Sequence, residues 1–384
     1  AQVEAATIED EDQRRRATSH ALNIGNKQKI VAALSLAEGN QALHVSPAEL
    51  DSDPFLVGCT NGTIDLKSGT FHKSNRDDLI TLTLGTGWDE SATCPQWEKF
   101  LRDVTKEDPE LIEFIRLSIG YTLTGSVGEQ CFYFLYGIGA NGKSKLVDTF
   151  EALMGDYVHR ASAELFERRR DRNKDPELAE LPGKRLILAS ETQEGARADE
   201  RLIKDVTGGE TLRGEAKYQS GFRFSPTAKI WMSGNHKLAI SGTDQGIWRR
   251  VHLLPFDARF NGENRDPQMG EKLKTELPGI LRWAVSGCLD WQKGGIKIPE
   301  RVKLAVQEYR SDEDTVGRFL KDRTEAAPGD FTVSKAELYE VYREWSEEEG
   351  YKYPFTKTRF TRRVKEKGIH DEEKAWRGIR IKED

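Results

Sequence analysis

Residues 137–144 read Gly-Ile-Gly-Ala-Asn-Gly-Lys-Ser, so Gly137, Gly142, Lys143 and Ser144 satisfy the spacing G-x-x-x-x-G-K-S. The chemistry behind that spacing is phosphate binding. Glycines let the backbone fold tightly enough to aim several N–H groups at phosphate oxygens, and the N-terminus of a following helix adds a favourable dipole. On this reading Gly137, Ile138, Gly139, Ala140, Asn141, Gly142, Lys143, Ser144 and Lys145 cradle ATP, with Lys143 reaching the β- and γ-phosphates and Ser144 holding Mg²⁺. A glycine-rich turn can match by chance, but here an apolar, aromatic-rich run (132–136) precedes the loop and a helical stretch (145–153) follows it.

Hydrolysis needs an acid near the γ-phosphate to orient water and support the metal. Glu191 ends the apolar run 185–190 and is the candidate for both tasks; the alternative is a solvated strand-end carboxylate. Position 190 is serine where aspartate is common, which weakens direct support of the metal. A further apolar run, 229–233, ends in Gly234-Asn235, and a strand-end amide can hydrogen-bond both γ-phosphate and attacking water. Asn235 is therefore the polar sensor, against the alternative of turn chemistry after a glycine. Arg249 and Arg250 precede the run 251–256. An arginine at the start of a strand can reach a neighbouring subunit's γ-phosphate, with an effect of ~10³ to 10⁵ in rate, whereas a surface ion pair contributes ~0–1 kcal/mol. Arg250 is preferred to Arg249 because it abuts the strand.

The elements that must hold these residues follow from periodicity. Residues 20–37 carry helical spacing, 55–72 read as a small β-meander with turns at Asn61-Gly62 and Ser68-Gly69, and 96–123 return to helical spacing. There Trp97, Phe100 and Leu101 form one apolar stripe, and Leu111, Phe114, Ile115 and Ile119 another. From residue 130, strand candidates 131–136, 185–189, 229–233 and 251–255 alternate with helical stretches, which predicts an α/β sheet with phosphate-binding loops at strand ends. The charged run 167–180 reads as a solvated loop or surface helix, and 326–330 as a linker to a small last domain.

Composition bounds the rest. The 384 residues are 37% apolar and 32% charged, as in a folded, soluble chain, and the formal net charge of -6 argues against coating nucleic acid by bulk positive charge while leaving room for a local basic site. The four cysteines are far apart, without metal-ligand spacing, and read as reduced thiols of a cytoplasmic protein. No apolar run approaches the ~18 residues of a membrane span, so no membrane partner is expected. The start at Ala1, without methionine, is consistent with a fragment of a longer polypeptide.

In this order, the loop, acid, sensor and arginine resemble the motifs of superfamily 3 helicases, and more closely the helicase part of phage and plasmid primase-helicases of the satellite-phage and poxvirus type. Residues 203–218, which include Ile203-Lys204, Gly208-Gly209, Arg213 and Lys217-Tyr218, are similar to a further motif of that family, as is Phe222-Arg-Phe224-Ser-Pro226. Asn61-Gly62-Thr-Ile-Asp65-Leu and Cys94-Pro95-Gln-Trp97 resemble the region preceding its ATPase. The resemblance implies an AAA+ ring, usually a hexamer, translocating 3′ to 5′ on single-stranded or forked DNA, with Lys217 on a hairpin in the central pore. A lysine contacts phosphate without reading sequence and Tyr218 can stack on a base; Lys204 and Arg213 are weaker DNA candidates, and a solvated basic face is the alternative for all three basic residues.

Residues 331–384 look like the small winged-helix domain that often closes this family. The helix candidate 356–367 bears Lys357, Arg359, Arg362, Arg363, Lys365 and Lys367, with Phe360 and Val364 as core contacts. It can enter a DNA groove or face a protein. The expected map is an N-terminal helical and β-meander region (1–125), the AAA+ ATPase (126–300), a helical linker (301–330) and the winged-helix-like domain (331–384). Any primase, fused or separate, is expected upstream. The leading function is an ATP-dependent replicative DNA helicase. The alternatives are a nucleotide-switched DNA-binding loader without unwinding activity and a P-loop small-molecule kinase.

Overall fold

Alternation along the central strands decides the layers. In the run Phe132–Tyr136, Tyr133 and Leu135 join one hydrophobic cluster while Phe132 and Phe134 join another, as in a strand buried on both faces. The computed structural model describes residues 10–24, 26–40, 45–168, 176–190, 195–215, 221–240, 245–351 and 354–382. They divide into two compact units, Ala1–Ser52 with Arg76–Thr81, and Asp53–Asn75 with Leu82–Asp384.

The first unit holds α1 (Glu11–Ile24) and α2 (Lys27–Glu38). The single helical stretch expected over 20–37 is thus two helices, because Asn26 takes an extended conformation and caps α2 by accepting from the Gln28 N–H (2.9 Å).

The second unit opens with the meander β1 (Leu56–Cys59), β2 (Gly62–Asp65) and β3 (Thr70–His72), antiparallel in that order. Gly69 has the positive φ (75°) a tight turn needs. Gly62 differs from the expectation: Cys59 pairs with Gly62, so the turn residues are Thr60 and Asn61, and glycine is required because a Cβ would lie 2.4 Å from the Phe71 ring. Helices α3 (Pro95–Thr105) and α4 (Pro109–Leu123) follow, with both expected stripes buried.

The core is a five-stranded parallel sheet. In chain order this region comprises β4 (Phe132–Tyr136), then α5 (Lys143–Met154), β5 (Val158–Ala161), β6 (Leu186–Ser190), α6 (Glu200–Gly208), the separate hairpin β7 (Leu212–Gly214) and β8 (Phe222–Phe224), β9 (Lys229–Gly234), α7 (Gln245–Trp248) and β10 (Val251–Pro255). The spatial order is β10-β4-β9-β6-β5, so the Asn235-bearing strand lies between the loop strand and the strand ending at Ser190. The edge strand β5 has no apolar run long enough to declare it. One face packs on α3, α4, α5 and, further along, α9 (Leu277–Gly294), which follows α8 (Met269–Thr275); the other packs on α6 and α10 (Glu300–Glu313), whose Tyr309 joins Leu202 and Ile203. The core is thus mixed α/β, a parallel sheet with helices on both faces. Of the charged run 167–180, the described residues include a short turn, Pro176–Glu180, with Leu178 buried.

The chain ends in α11 (Thr315–Arg323), β11 (Thr324–Ala326), β12 (Thr332–Ser334), α12 (Lys335–Glu348), α13 (Lys357–Glu366), β13 (His370–Asp371), β14 (Ala375–Arg377) and β15 (Ile379–Ile381). Val316 and Phe319 of α11 share a hydrophobic cluster with Trp345, Phe360, Val364 and Trp376, and β11 pairs with β15. The stretch expected as a linker therefore supplies a helix and a strand to the C-terminal core. Much of the basic charge on α13 is paired within the chain: Arg363 is buried and bonds Glu366, Lys365 meets Asp371 and Lys367 meets Asp314. The four cysteines are buried and free, and among the described residues no helix is long and apolar enough to cross a membrane.

Candidate functional site

Two glycines of the loop after β4 are demanded by space. A Cβ on Gly137 would lie 2.3 Å from the Phe256 carbonyl oxygen, and one on Gly142, which also has φ +89°, would lie 2.4 Å from Val104 Cγ1 of α3. Gly139 has nothing within 4 Å. The loop is stapled by the segment after β10: Asn141 Nδ2 donates to Phe256 O (3.0 Å), and the Phe260 N–H donates to Ala140 O (2.7 Å). Ala140 itself takes φ +58°, a left-handed conformation that costs a non-glycine residue ~1–2 kcal/mol. Ile138 stands exposed on the loop.

Lys143 begins α5 and is buried, and its ammonium donates to Gly137 O and to Asn235 Oδ1 (3.3 Å). Burial holds its pKa below the usual lysine value. The sheet register brings the two residues together: Tyr136 pairs with Gly234, so the loop and Asn235 leave neighbouring strands at one level. Ser144 is exposed on the first turn of α5, and Ser233 Oγ donates to Ser190 Oγ (3.3 Å). Glu191 lies outside the described residues, among which no group of three or more His, Cys, Asp or Glu could hold a metal ion.

These groups face a cleft of about 1230 Å³ whose lining includes Lys143, Ser144, Lys145, Ser190 and Asn235. The residues suit a phosphate group: the loop has room only for glycine at two points, and the lysine's charge, disfavoured by burial, gains from an anion beside it.

Arg250, the arginine preferred from sequence, turns inward. Its guanidinium is buried and donates to Thr207 Oγ1 (3.1 Å), Gly246 O (2.6 Å) and Gln130 Oε1 (3.3 Å). Arg249 is exposed, with one bond to Gln130 Oε1 (2.9 Å). Both stand at the N-terminal end of β10, one strand length or about 16 Å from the loop end of the sheet.

Among the DNA candidates, Arg213 is exposed on β7 beside Glu215 (3.5 Å), and Lys204 is half-buried on α6. Lys217 and Tyr218 lie outside the described residues, between the paired strands β7 and β8. Sequence reasoning missed the staple 256–260 and the packing of α3 beneath Gly142; neither has a local signal, since both join segments far apart in the chain.

Profiles of known families match in three places: one described as D5 N terminal like over residues 1–106, a family of unknown function over 135–250, and one described as poxvirus D5 protein-like over 311–382. A protein named as a candidate helicase from Acanthamoeba polyphaga mimivirus is 27% identical over 323 residues, 77% of this chain and 33% of its own length. Primase D5 of Fowlpox virus is 25% identical over 239 residues, 58% of this chain and 30% of its own length. The chain is thus similar at both ends to D5 proteins, and its relatives are named as helicases or primases. The chain spans about a third of the length of the curated relatives it matches. Its fold is similar to that of the NrS-1 C terminal region, with TM-score 0.54 and 13% identity over 86% of this chain and 83% of that one.

Proposed function

We propose that this chain is the ATP-hydrolysing motor of a D5-like replicative DNA helicase, an AAA+ ring, hexameric, that moves 3′ to 5′ along single-stranded DNA, with a primase fused or separate. The observation that carries the reading is Lys143 held between the phosphate loop and Asn235 at the ends of adjacent parallel strands. Lys143 and the loop N–H groups hold the β- and γ-phosphates, Asn235 orients the attacking water, and Glu191 takes its proton. Ser144 and Glu191 would hold Mg²⁺, which neutralises charge on the phosphate oxygens. Serine at 190 supplies no carboxylate, so Glu191 carries the acidic role alone.

Arg249, exposed and distant from its own loop, is the finger offered to a neighbouring subunit; Arg250 braces the base from which it projects. Lys217 and Tyr218, which follow β7 in the sequence, contact the DNA, with Arg213 of β7 and Lys204 of α6 as further basic contacts. The terminal helices and strands, 315–382, form the winged-helix-like end of the motor. The test is a pair of variants. Lys143→Ala weakens nucleotide binding by about tenfold or more, the scale of one charge-assisted bond, while Glu191→Gln keeps binding and lowers turnover by ~10² to 10⁴. Equal turnover in Glu191→Gln and wild type would refute its role, and ATP-dependent strand displacement by the wild type excludes a loader that does not unwind.

A further inference from the structure

At the end of the sheet remote from the phosphate loop, two guanidinium groups share one acceptor. Gln130 Oε1 accepts from Arg249 Nη2 (2.9 Å) and from Arg250 Nη2 (3.3 Å). A carboxamide oxygen has two lone pairs, so one side chain can hold both arginines. Arg250 is the fixed member, buried and bonded to Thr207 and Gly246 as well, whereas Arg249 is exposed. Gln130 thus ties an exposed cation to a buried one.

The turn that presents this glutamine is held from several sides. Residues 124–130 join α4 to β4, and the buried ammonium of Lys229, at the start of β9, donates to Thr124 O and to Ser126 O (3.2 Å). Glu129 accepts from Trp291 Nε1 (2.7 Å) through its carboxylate, and its N–H donates to Tyr121 Oη (3.3 Å). The Gln130 N–H closes the turn on Val127 O (3.0 Å), and Gln130 itself takes φ +51°. Glycine would adopt that left-handed conformation without steric cost. A glutamine kept there on a braced turn is placed for its side chain, and the side chain's work is on the two arginines.

We infer that Gln130 is a positioning residue for the finger: through Arg250 it holds the Arg249 guanidinium in the pose offered to the neighbouring subunit's nucleotide. Being neutral, the amide orients the guanidinium without cancelling the charge that a phosphate would meet. The inference rests on the reading of Arg249 as the finger, and subunit mixing separates the two. DNA-stimulated ATP turnover is measured on the full chain, for each variant alone and co-expressed with Lys143→Ala, which has a disabled loop and an intact finger. Gln130→Leu alone lowers kcat by about 10- to 100-fold, the scale of a misplaced catalytic group, and leaves KM for ATP within about twofold because its own loop is untouched. Gln130→Glu keeps the acceptors, and so the fold, and also lowers kcat because its charge opposes the finger's. Co-assembly with Lys143→Ala raises turnover of both variants severalfold, as it does for Arg249→Ala, because the finger then comes from the Lys143→Ala subunit. Wild-type turnover in both Gln130 variants, or a loss that co-assembly does not restore while it restores Arg249→Ala, overturns the positioning role and leaves the finger standing. Unimpaired turnover in Arg249→Ala, or a loss there that co-assembly does not restore, overturns both.

Discussion

Arg250 buries a guanidinium among Thr207, Gly246 and Gln130, while its neighbour Arg249 keeps a guanidinium in solvent. The two substitutions therefore separate stability from catalysis. Arg250→Ala strips hydrogen bonds from buried acceptors and lowers folding stability by ~1–3 kcal/mol. Arg249→Ala changes stability by no more than ~0.5 kcal/mol, yet slows DNA-dependent ATP turnover by ~10³. Denaturant melts read beside turnover check the pair; a destabilised Arg249→Ala with normal turnover would reverse the assignment. At this scale the sequence told residue type and order and little about exposure. Glycines 137 and 142, Lys143 and Asn235 were legible because their spacing is the chemistry itself. Which of two adjacent arginines is exposed depends on Thr207, distant in the chain, and no pattern near 250 records it.

Helix α3 is the element whose role was hidden. Its stripe of Trp97, Phe100 and Leu101 is plain from helical spacing, but the same face continues to Val104, which fixes how closely α3 approaches the loop at Gly142. Gly142→Ala meets both a positive φ and the Val104 methyl, so destabilisation of ~2–4 kcal/mol and loss of nucleotide binding are expected. Adding Val104→Ala removes the steric part and not the backbone part. A double-mutant cycle should then show favourable coupling above ~1 kcal/mol, and strictly additive effects would contradict contact between helix and loop. The strands β4, β6, β9 and β10 were readable as apolar runs because burial on both faces writes a continuous signal. Strand β5 and the place of helix α11 were not, since an edge strand carries a shorter signal and helical spacing over 301–330 gives no hint of which core each turn joins.

Across the molecule, two buried titratable groups oppose each other in acid. Burial lowers the pKa of His252, packed between Phe114 and Tyr133, to about 4, and raises that of Glu313, at the end of α10, to about 7. The unfolded chain binds the histidine proton first, so His252 costs stability as pH falls from 6.5 to 4, by ~3 kcal/mol in all. Glu313 is protonated first in the folded chain, so it favours folding below 4.5 and loses that advantage as pH rises through 7. Glu313→Gln should therefore expose a loss of stability on acidification below 6.5, and His252→Phe a gain between 7 and 4.5. Parallel pH profiles for the two variants would contradict one burial or the other. The motor reading also belongs to the whole molecule, since it joins the phosphate site, a finger proposed for a neighbour and the proposed DNA contacts of Lys217 and Tyr218 in one cycle. Its most direct test is ATP turnover by the chain with and without single-stranded DNA. The account predicts turnover that rises severalfold with DNA and vanishes in Lys143→Ala; turnover indifferent to DNA in every assembly state would contradict it.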